Sequence, residues 1–534
     1  ALEDNTTGTS NTAVGAGSLK NNTTAHQNTA VGIDSLEANT TGAANTALGF
    51  EPLHSNTTAA NNTGLGWRAL YINTTGAANT AVGVQALYSN STASNNVAVG
   101  VESLKLNSTG HSNVAVGYQA MAANTTGSEN TALGYQALDA ATTAENNVAI
   151  GRLAGTGLTT GGSNTIVGAA AMQTNSTGVG NVAIGISALA VAQASDNVAV
   201  GRTAGDAVTT ASNCILIGTD AGGSLTTGNN NTAIGKDCLA QATTVTSLVA
   251  LGYKALAGNT SGTGNTALGY AAGEDVTTGV QNTFVGYHAG TNVTTTNNNT
   301  AIGYNALTTA TTGYENFAGG VGALHDCTTG YRNVAIGHVA GYGINAANSN
   351  TCIGYGAGIN LTTGSNNLFL GKDAGFSGSP GGNYTTENSV ITLGDENIGA
   401  ANIQVDWTVA SDERDKTDFT DLDVGLDFVK ALAPVTYKWD KRSKYGDKYA
   451  DNYDLNAQTP DGTHKEDWLD IGFKAQEVEK LETAAGYKIA DKTNLTTSLS
   501  SDGKQYGIQY SKFVPILVKA IQELSAEVEK LKGE

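Results

Sequence analysis

The chain has 534 residues, of which 68 are Gly, only 5 are Pro and 14% are charged, whereas an ordinary soluble domain has about 25% charged residues. No stretch approaches the roughly 18 consecutive apolar residues of a membrane-spanning helix. The formal net charge of −19 argues against binding to nucleic acid, which needs clustered Lys and Arg. Composition therefore argues against an ordinary globular enzyme, a membrane-inserted protein and a nucleic-acid binder.

Charge divides the chain near residue 395. Residues 1–395 contain 9 Lys and Arg and 20 Asp and Glu, whereas residues 396–534 contain 18 and 26. The charged fraction thus rises from about 7% to about 32%. Such a step predicts that two different kinds of folding unit join there.

The first part repeats a short segment of the type Asn11-Thr-Ala-Val-Gly15. The closing glycine recurs 22 times between Gly15 and Gly371, every 17 residues with a single 16-residue step before Gly201. Gly394 closes a last copy after an insertion at 376–384. The repeats thus occupy about residues 11–371, and with the final irregular coil they form a predicted shaft over residues 1–395.

A unit of 17 residues is too short for two packed helices, and its Val, Ile and Thr favour strand. We therefore predict a mainly β fold, in which each unit is one coil of a β-solenoid or β-roll. The residue before the glycine is Val, Leu or Ile in all but one copy, and the residue before that is usually Ala. Because strand residues alternate between faces, both faces are apolar. We expect the Ala face to pack against identical chains near a three-fold axis, although a dimer satisfies the same argument.

The second half of each unit has two forms, which predict a second core position. In one form Leu or Met stands four residues after the glycine, as at Leu36. In the other that position is Gly and an apolar residue follows three places later, as at Gly273 with Val276. Between these positions, runs such as Asn39-Thr-Thr-Gly42 are typical of turns whose Asn or Thr side chains hydrogen-bond from coil to coil. We interpret these Asn-x-Thr sequences as turns rather than glycosylation sites.

An aromatic residue often follows the closing glycine, which predicts broken stripes along the shaft. These rings either cover coil corners and contacts between chains or form a ladder that binds glycans or surfaces. The candidate binding residues are Phe50, Trp67, Tyr118, Tyr135, Tyr253, Tyr270, Tyr287, Tyr304 and Tyr355. Carboxylates in the shaft are scattered singly, so no glycosidase pair is predicted.

Four cysteines occur without CxxC spacing or a histidine pair. We interpret Cys214, Cys238, Cys327 and Cys352 as small buried residues. No metal ion and no other cofactor is expected.

Several motifs in the second part occur in a fixed order: Ser411-Asp-Glu-Arg-Asp-Lys416, Leu426–Leu432, Pro434–Trp439 and Ile471–Val478, followed by a closing helix. In this order they resemble the endosialidase-type intramolecular chaperone of phage tail spikes and fibres. The repeats are similar to the head repeats of trimeric bacterial adhesins and to the shafts of phage tail fibres. The resemblance implies a connector at residues 396–410 and an α+β chaperone and auto-protease domain at residues 411–534.

The resemblance also implies that the domain trimerises, directs folding of the shaft and then cuts itself off. Transferred to this chain, Ser411 is the nucleophile, Lys416 its general base, and the scissile bond joins Ala410 to Ser411. Asp412 and Arg414 match the motif and hold the turn. Asp415 departs from the usual apolar residue, and with Asp418 it favours a charged lysine, so slow or incomplete cleavage is expected. The alternative is that the motif only caps a helix.

The closing helix carries an a/d seam over three heptads, which predicts a coiled coil at residues 510–531. Its positions are Tyr510, Val514, Leu517, Ile521, Leu524, Val528 and Leu531. Pro515 lies where a proline is tolerated, in the first turn. Between the motifs, the acidic stretch from Ser443 to Asp454, continuing to Asp470, predicts a solvated loop.

These features predict a homotrimeric phage tail fibre in the virion, which attaches to a host receptor or glycan and contacts other tail proteins. No turnover enzyme is expected, only a single self-cleavage by a Ser-Lys pair. Two alternatives remain: a trimeric adhesin at the cell surface, which uses the same repeats and chaperone, and a polysaccharide-binding tail spike.

Overall fold

The computed structural model of the chain describes residues 1–404, 407–450 and 452–533. Val405 and Asp406 of the predicted connector, Asp451 of the predicted loop and the terminal Glu534 lie outside the described residues. The chain divides into two compact units, Ala1–Ala301 and Ile302–Glu534.

The first unit is a β-solenoid, as predicted from the repeat. A three-residue strand precedes each closing glycine, and each strand pairs in parallel with the next, so that Ala13 lies opposite Ala30. The 16-residue step keeps this register, because Ala183 still lies opposite Ala199. The strands are β1 Thr12–Val14, β2 Thr29–Val31, β3 Thr46–Leu48, β4 Thr63–Leu65, β5 Thr80–Val82, β6 Val97–Val99, β7 Val114–Val116, β8 Thr131–Leu133, β9 Val148–Ile150, β10 Thr165–Val167, β11 Val182–Ile184, β12 Val198–Val200, β13 Ile215–Ile217, β14 Thr232–Ile234, β15 Val249–Leu251, β16 Thr266–Leu268 and β17 Thr283–Val285.

The predicted orientation of the strand faces is wrong. Ala30 and Ala47 are fully buried inside their own coils, whereas Val14 and Leu48, which precede the glycine, are 57% and 47% exposed. The physical reason is volume: in these coils the buried Leu four residues after the glycine, such as Leu36, already fills the interior, so only a small side chain fits opposite it. The apolar strand face that remains exposed is therefore the Val, Leu and Ile face, not the Ala face.

The predicted exchange between two core positions is confirmed. Leu36 is fully buried in one form of the coil, and Val276 is fully buried in the other. Phe284 shows why Leu is withdrawn, because its buried ring takes the place of the usual strand Ala. A Cβ atom added to Gly273 would lie 2.7 Å from this ring, so only glycine fits beside it.

Buried asparagines connect the coils through hydrogen bonds between side chains. Each Asn of one ladder donates its Nδ2 group to Oδ1 of the Asn in the preceding coil over 2.7 to 3.0 Å. The ladder consists of Asn22, Asn39, Asn56, Asn73, Asn90, Asn107 and Asn124. These residues stand in Asn-x-Thr sequences, yet all are fully buried, in agreement with the turn interpretation.

The cysteines are buried within the coils, as predicted. Burial raises the pKa of Cys238, Cys327 and Cys352 to about 12. These thiols therefore remain uncharged at neutral pH.

The second unit begins with solenoid coils of the same design. Its strands are β19 Phe317–Gly319, β20 Val334–Ile336, β21 Thr351–Ile353, β22 Leu368–Leu370 and β23 Ile391–Leu393, while β18 Thr300–Ile302 falls at the division between the units. Strand β23 pairs in parallel with β22, with Leu368 opposite Ile391. The coil that joins them is called the last coil below (residues 371–396). With the insertion at 376–384 it is six residues longer than the 17-residue period.

Residues 411–533, called the C-terminal segment, form a small α+β structure that ends in a long helix. The core consists of Val424, Phe428, Val478, Phe513 and Ile516. In the described part of the chain, no helix is long and apolar enough to cross a bilayer. The elements are α1 Leu426–Ala431, β24 Val435–Tyr437, β25 Asp470–Gly472, α2 Ala475–Ala484, β26 Thr497–Leu499, β27 Tyr506–Ile508 and α3 Phe513–Lys532, with β24 antiparallel to β25 and β26 antiparallel to β27.

The stretch predicted as a solvated loop is only partly exposed. Ser443 is buried and the side chain of Lys448 is 10% exposed. The prediction is wrong for these residues, because they pack against the last coil.

Candidate functional site

A short turn brings Ser411 and Lys416 together. Residues Glu413–Asp415 form a single 3-10 turn, so the chain reverses between the two side chains. The Nζ group of Lys416 donates a hydrogen bond to Ser411 Oγ over 2.6 Å and lies 3.3 Å from the Ser411 carbonyl oxygen. A serine hydroxyl and a lysine amine at this distance can exchange a proton directly.

Asp412 and Arg414 stabilise that turn. Asp412 accepts a hydrogen bond from the backbone N–H of Arg414 over 2.9 Å, and Arg414 Nη2 lies 2.6 Å from Asp412 Oδ2. The hydrogen bonds from Arg414 hold the pKa of Asp412 below its usual value. The capping residue of the turn is thus Asp412, and Ser411 stays free to meet Lys416.

The surroundings of the pair are open to solvent. Ser411 and Lys416 are exposed, and the adjacent Trp407 and Val409 are 71% and 81% exposed. Within the described residues, Lys416 has no carboxylate within 4.0 Å, so Asp415 and Asp418 form no ion pair with it. Large apolar side chains are therefore exposed to solvent on the amino-terminal side of the Ala410–Ser411 bond.

A second candidate surface is the seam of α3. One side of this helix packs inward through Phe513, Ile516 and Ala520. The predicted a/d residues lie on the other side and are between 39% and 71% exposed, with Tyr510 in the turn Tyr510–Lys512 just before the helix. The amphipathic helix thus has two apolar sides, of which the C-terminal segment covers one.

The predicted aromatic residues of the solenoid lie at the surface. All but the half-buried Tyr253 are between 41% and 51% exposed. Parallel stacking joins Tyr118 to Tyr135 with ring centroids 5.4 Å apart, and Tyr270 stacks between Tyr253 and Tyr287. The structure thus brings some of these residues together in short stacks rather than in one continuous ladder.

A further aromatic stack escaped the sequence analysis. His54, Tyr71 and Tyr88 stack with centroids 5.1 and 5.3 Å apart, and the guanidinium of Arg68 lies 5.0 Å from the rings of both Trp67 and Tyr71. The signal was present in the sequence as a ring five residues after three successive closing glycines.

Part of the C-terminal segment is similar to a known family. Residues 411–487 match the model of the family described as the chaperone of endosialidase, and the match begins at Ser411. Together with the solenoid of 17-residue coils, this match over residues 411–487 supports a tail-spike-like arrangement with a C-terminal chaperone. Among curated proteins, no sequence matches this chain.

Proposed function

We propose that this chain is a homotrimeric fibre of a phage tail, which attaches the virion to a host surface and whose C-terminal segment assembles the trimer. The observation that carries the proposal is the large apolar surface that the fold leaves bare in both regions. It comprises the outward strand residues, such as Val14 and Leu48, and the seam of α3. Surfaces of this size and regularity mark contacts between chains.

Three copies of α3 would cover the seam. Its a and d positions include Ile521, Leu524 and Val528, and Ile with Leu at these positions is compatible with trimers. Bringing three C-termini together first would place the repeat regions in the same register, which a repetitive sequence does not specify by itself. The segment therefore acts in the proposal as the starting point for folding of the coils.

In the proposed cut, uncharged Lys416 accepts the proton of Ser411 Oγ, and this oxygen attacks the carbonyl carbon of Ala410. The bond between Ala410 and the nitrogen of Ser411 breaks, the nitrogen takes up the proton, and Ala410 is left as an ester on Ser411 Oγ. Water hydrolyses the ester, which restores the hydroxyl and releases Ala410 as a carboxylate. The 2.6 Å contact between Lys416 Nζ and Ser411 Oγ supports this assignment.

The cut is tested by expressing the wild-type gene and measuring the masses of the products. Wild-type protein should yield a fragment of residues 411–534, whereas Ser411→Ala and Lys416→Arg should not, since arginine keeps the positive charge but does not act as a base. Lys430→Arg, at an exposed lysine of α1, is the matched control and should be cut like the wild type. An uncut wild-type chain would contradict the assignment.

The exposed aromatic residues that follow the closing glycines, called the aromatic stripe, are proposed as the surface that binds host glycans. Exposed ring faces and edges suit sugar rings, and Tyr118 with Tyr135 forms an exposed stacked pair. Replacing both by Ala should weaken adsorption to host cells. A double Ala variant of the stacked pair Tyr314 and Tyr331, outside the stripe, should adsorb normally. If the Tyr118 and Tyr135 variant adsorbs normally but changes its oligomeric state, these rings instead form contacts between copies of the chain.

A further inference from the structure

The last coil differs from the others in ways that the proposed function does not use. Its insertion places Gly378 and Gly382 against the C-terminal segment. A Cβ atom added to Gly378 would lie 2.6 Å from Cβ of Ser443, and one added to Gly382 would lie 2.7 Å from Oδ1 of Asp502. A side chain at either glycine would therefore require the facing residue, Ser443 or Asp502, to shift.

A buried cluster of charges joins the same two parts. The Nζ group of Lys448 lies 2.9 Å from Asp373 Oδ2, 3.0 Å from Glu396 Oε1 and 3.9 Å from Asp395 Oδ2. The side chain of Lys448 is 10% exposed, and that of Asp373 is 1% exposed. The last coil supplies the three carboxylates of this cluster, and the C-terminal segment supplies the ammonium group at their centre.

Aromatic and polar contacts surround this cluster. The hydroxyl of Tyr449 donates to Asp373 Oδ2, and its ring stacks on that of Phe376 with centroids 5.7 Å apart. Lys441 Nζ donates to the carbonyl oxygen of Glu396 over 2.6 Å. Cations of the C-terminal segment thus face acceptors of the last coil at more than one point.

The turn between β26 and β27 makes a separate contact with the insertion. The backbone N–H of Asn383 donates to Asp502 Oδ2 over 3.3 Å, and Ser501 Oγ donates to the carbonyl oxygen of Asn383 over 3.4 Å. Arg442 connects this turn to the part of the segment that carries Lys448. Its Nη2 group donates a hydrogen bond to the carbonyl oxygen of Lys504, in the turn, over 2.6 Å. Two surfaces of the segment, about 60 residues apart in sequence, therefore hold one coil.

Removing the ammonium group of Lys448 from this buried cluster would be costly. Removing Lys448 leaves three carboxylates near one another, all held largely out of water, without the cation that compensates them. Loss of one partner from a buried ion pair is strongly unfavourable, much more so than loss of an exposed pair. The ion pairs of Lys448 cross the Ala410–Ser411 bond, with the carboxylates before it and the lysine after it.

We infer that these contacts form a non-covalent latch, which keeps the C-terminal segment bound to the last coil after the Ala410–Ser411 bond is broken. The inference rests on the proposed cut. The product of the cut is then a complex of residues 1–410 with residues 411–534, and separation of the segment is a second step that requires Lys448 to leave its carboxylates.

The test uses the full chain with an affinity tag at the N-terminus. After the cut, the captured solenoid should retain the fragment of residues 411–534 in equal amount at physiological ionic strength. In the Lys448→Glu and Lys448→Met variants, retention should fall by more than about a hundredfold in affinity. Lys438→Glu makes the same charge change at an exposed lysine outside the latch and should retain the fragment.

Loss of the wild-type fragment during capture overturns the latch, and so does full retention by both Lys448 variants. A wild-type chain that stays uncut contradicts the Ser411 assignment instead. The latch is then tested with a recognition sequence for an added protease inserted between Ala410 and Ser411, both exposed, and the same capture. If the Lys448 variants do not fold, retention of the wild-type fragment alone decides the outcome.

Discussion

In the repeat region, each coil satisfies its hydrogen bonds with the next coil, whereas the C-terminal segment folds around a few side chains brought together from distant positions. In the first unit, strand pairs such as Ala13 with Ala30 recur from coil to coil. In the segment, Val424, Phe428, Val478, Phe513 and Ile516 form a small core, and many large apolar residues stay exposed. A repeat can be extended indefinitely and does not by itself fix the register between neighbouring chains. The segment carries the exposed apolar residues that the proposed assembly would use to fix it.

Deleting residues 411–534 from the gene should have the largest effect of the changes considered, because it removes the C-terminal segment and leaves the repeat region alone. Without the segment, coils of different chains lack a common register, so we expect insoluble protein where the full chain is soluble. The matched control deletes residues 33–66, which removes two whole periods and joins Gly32 to Trp67. This shorter chain should remain soluble. The measurement is the soluble fraction after lysis, and soluble 1–410 with the native oligomeric state would refute the role of the segment.

Substituting the seam of α3 should affect assembly next most strongly. Ile521→Asp places a charge at a central a/d position, and we expect it to dissociate the oligomer. Gln522→Asp introduces the same charge one residue away, outside the seam, and should leave the mass in light scattering unchanged. Equal masses for all three proteins would show that the seam does not hold the copies together.

Within the repeat region, the buried Asn ladder can be interrupted at one coil. Asn73 donates to Asn56 Oδ1 and accepts from Asn90 Nδ2, so Asn73→Ala leaves buried amide groups without partners. We expect a loss of about 2–4 kcal/mol in unfolding free energy. Thr75→Ala, at an exposed residue of the same turn, should cost much less. Calorimetry measures the loss, and faster hydrogen exchange in the adjacent coils locates it; similar curves for both variants would contradict the role of the ladder.

The smallest expected effect concerns how the stability of the C-terminal segment depends on pH. Burial raises the pKa of Glu482, but hydrogen bonds from Thr496 and Thr497 outweigh this and hold it below its usual value. A lowered pKa in the folded state adds stability above the pKa of the unfolded chain, and this stability is lost as pH falls through the folded value.

Glu482→Gln should therefore lower the unfolding free energy at neutral pH by about 1–3 kcal/mol and make acid unfolding less steep. Glu477→Gln, at an exposed glutamate of the same helix, is the control. Tryptophan fluorescence as a function of pH measures the transition. Superimposable curves for the two variants would contradict the assigned role of Glu482.

Much of the fold was predictable because the same short sequence pattern occurs 22 times. Strand positions, the buried Leu and the Asn turns follow from local pattern. The orientation of the strand did not, since both faces are apolar and the choice depends on the volume left beside residues such as Leu36. Phe284 illustrates the same dependence on volume: its large buried ring fits only because glycine, not Leu, lies next to it.

The Ser411–Lys416 pair was predictable from its motif, because five residues and one capped turn bring the side chains together. The contact between Lys448 and Asp373 was not, since these residues are far apart in sequence and neither belongs to a motif. Two signals for it were available: the insertion that makes the last coil six residues longer than the period, and basic residues in a stretch interpreted only as a solvated loop.

The number of chains in the assembled protein tests the central claim most directly. Native mass spectrometry of the full-length Ser411→Ala protein, which keeps all parts covalently joined, should give three chains per particle, and a denatured and refolded sample of residues 1–410 should not recover that state. A monomer or dimer for the full-length variant, or trimers regained by residues 1–410 alone, would contradict the account.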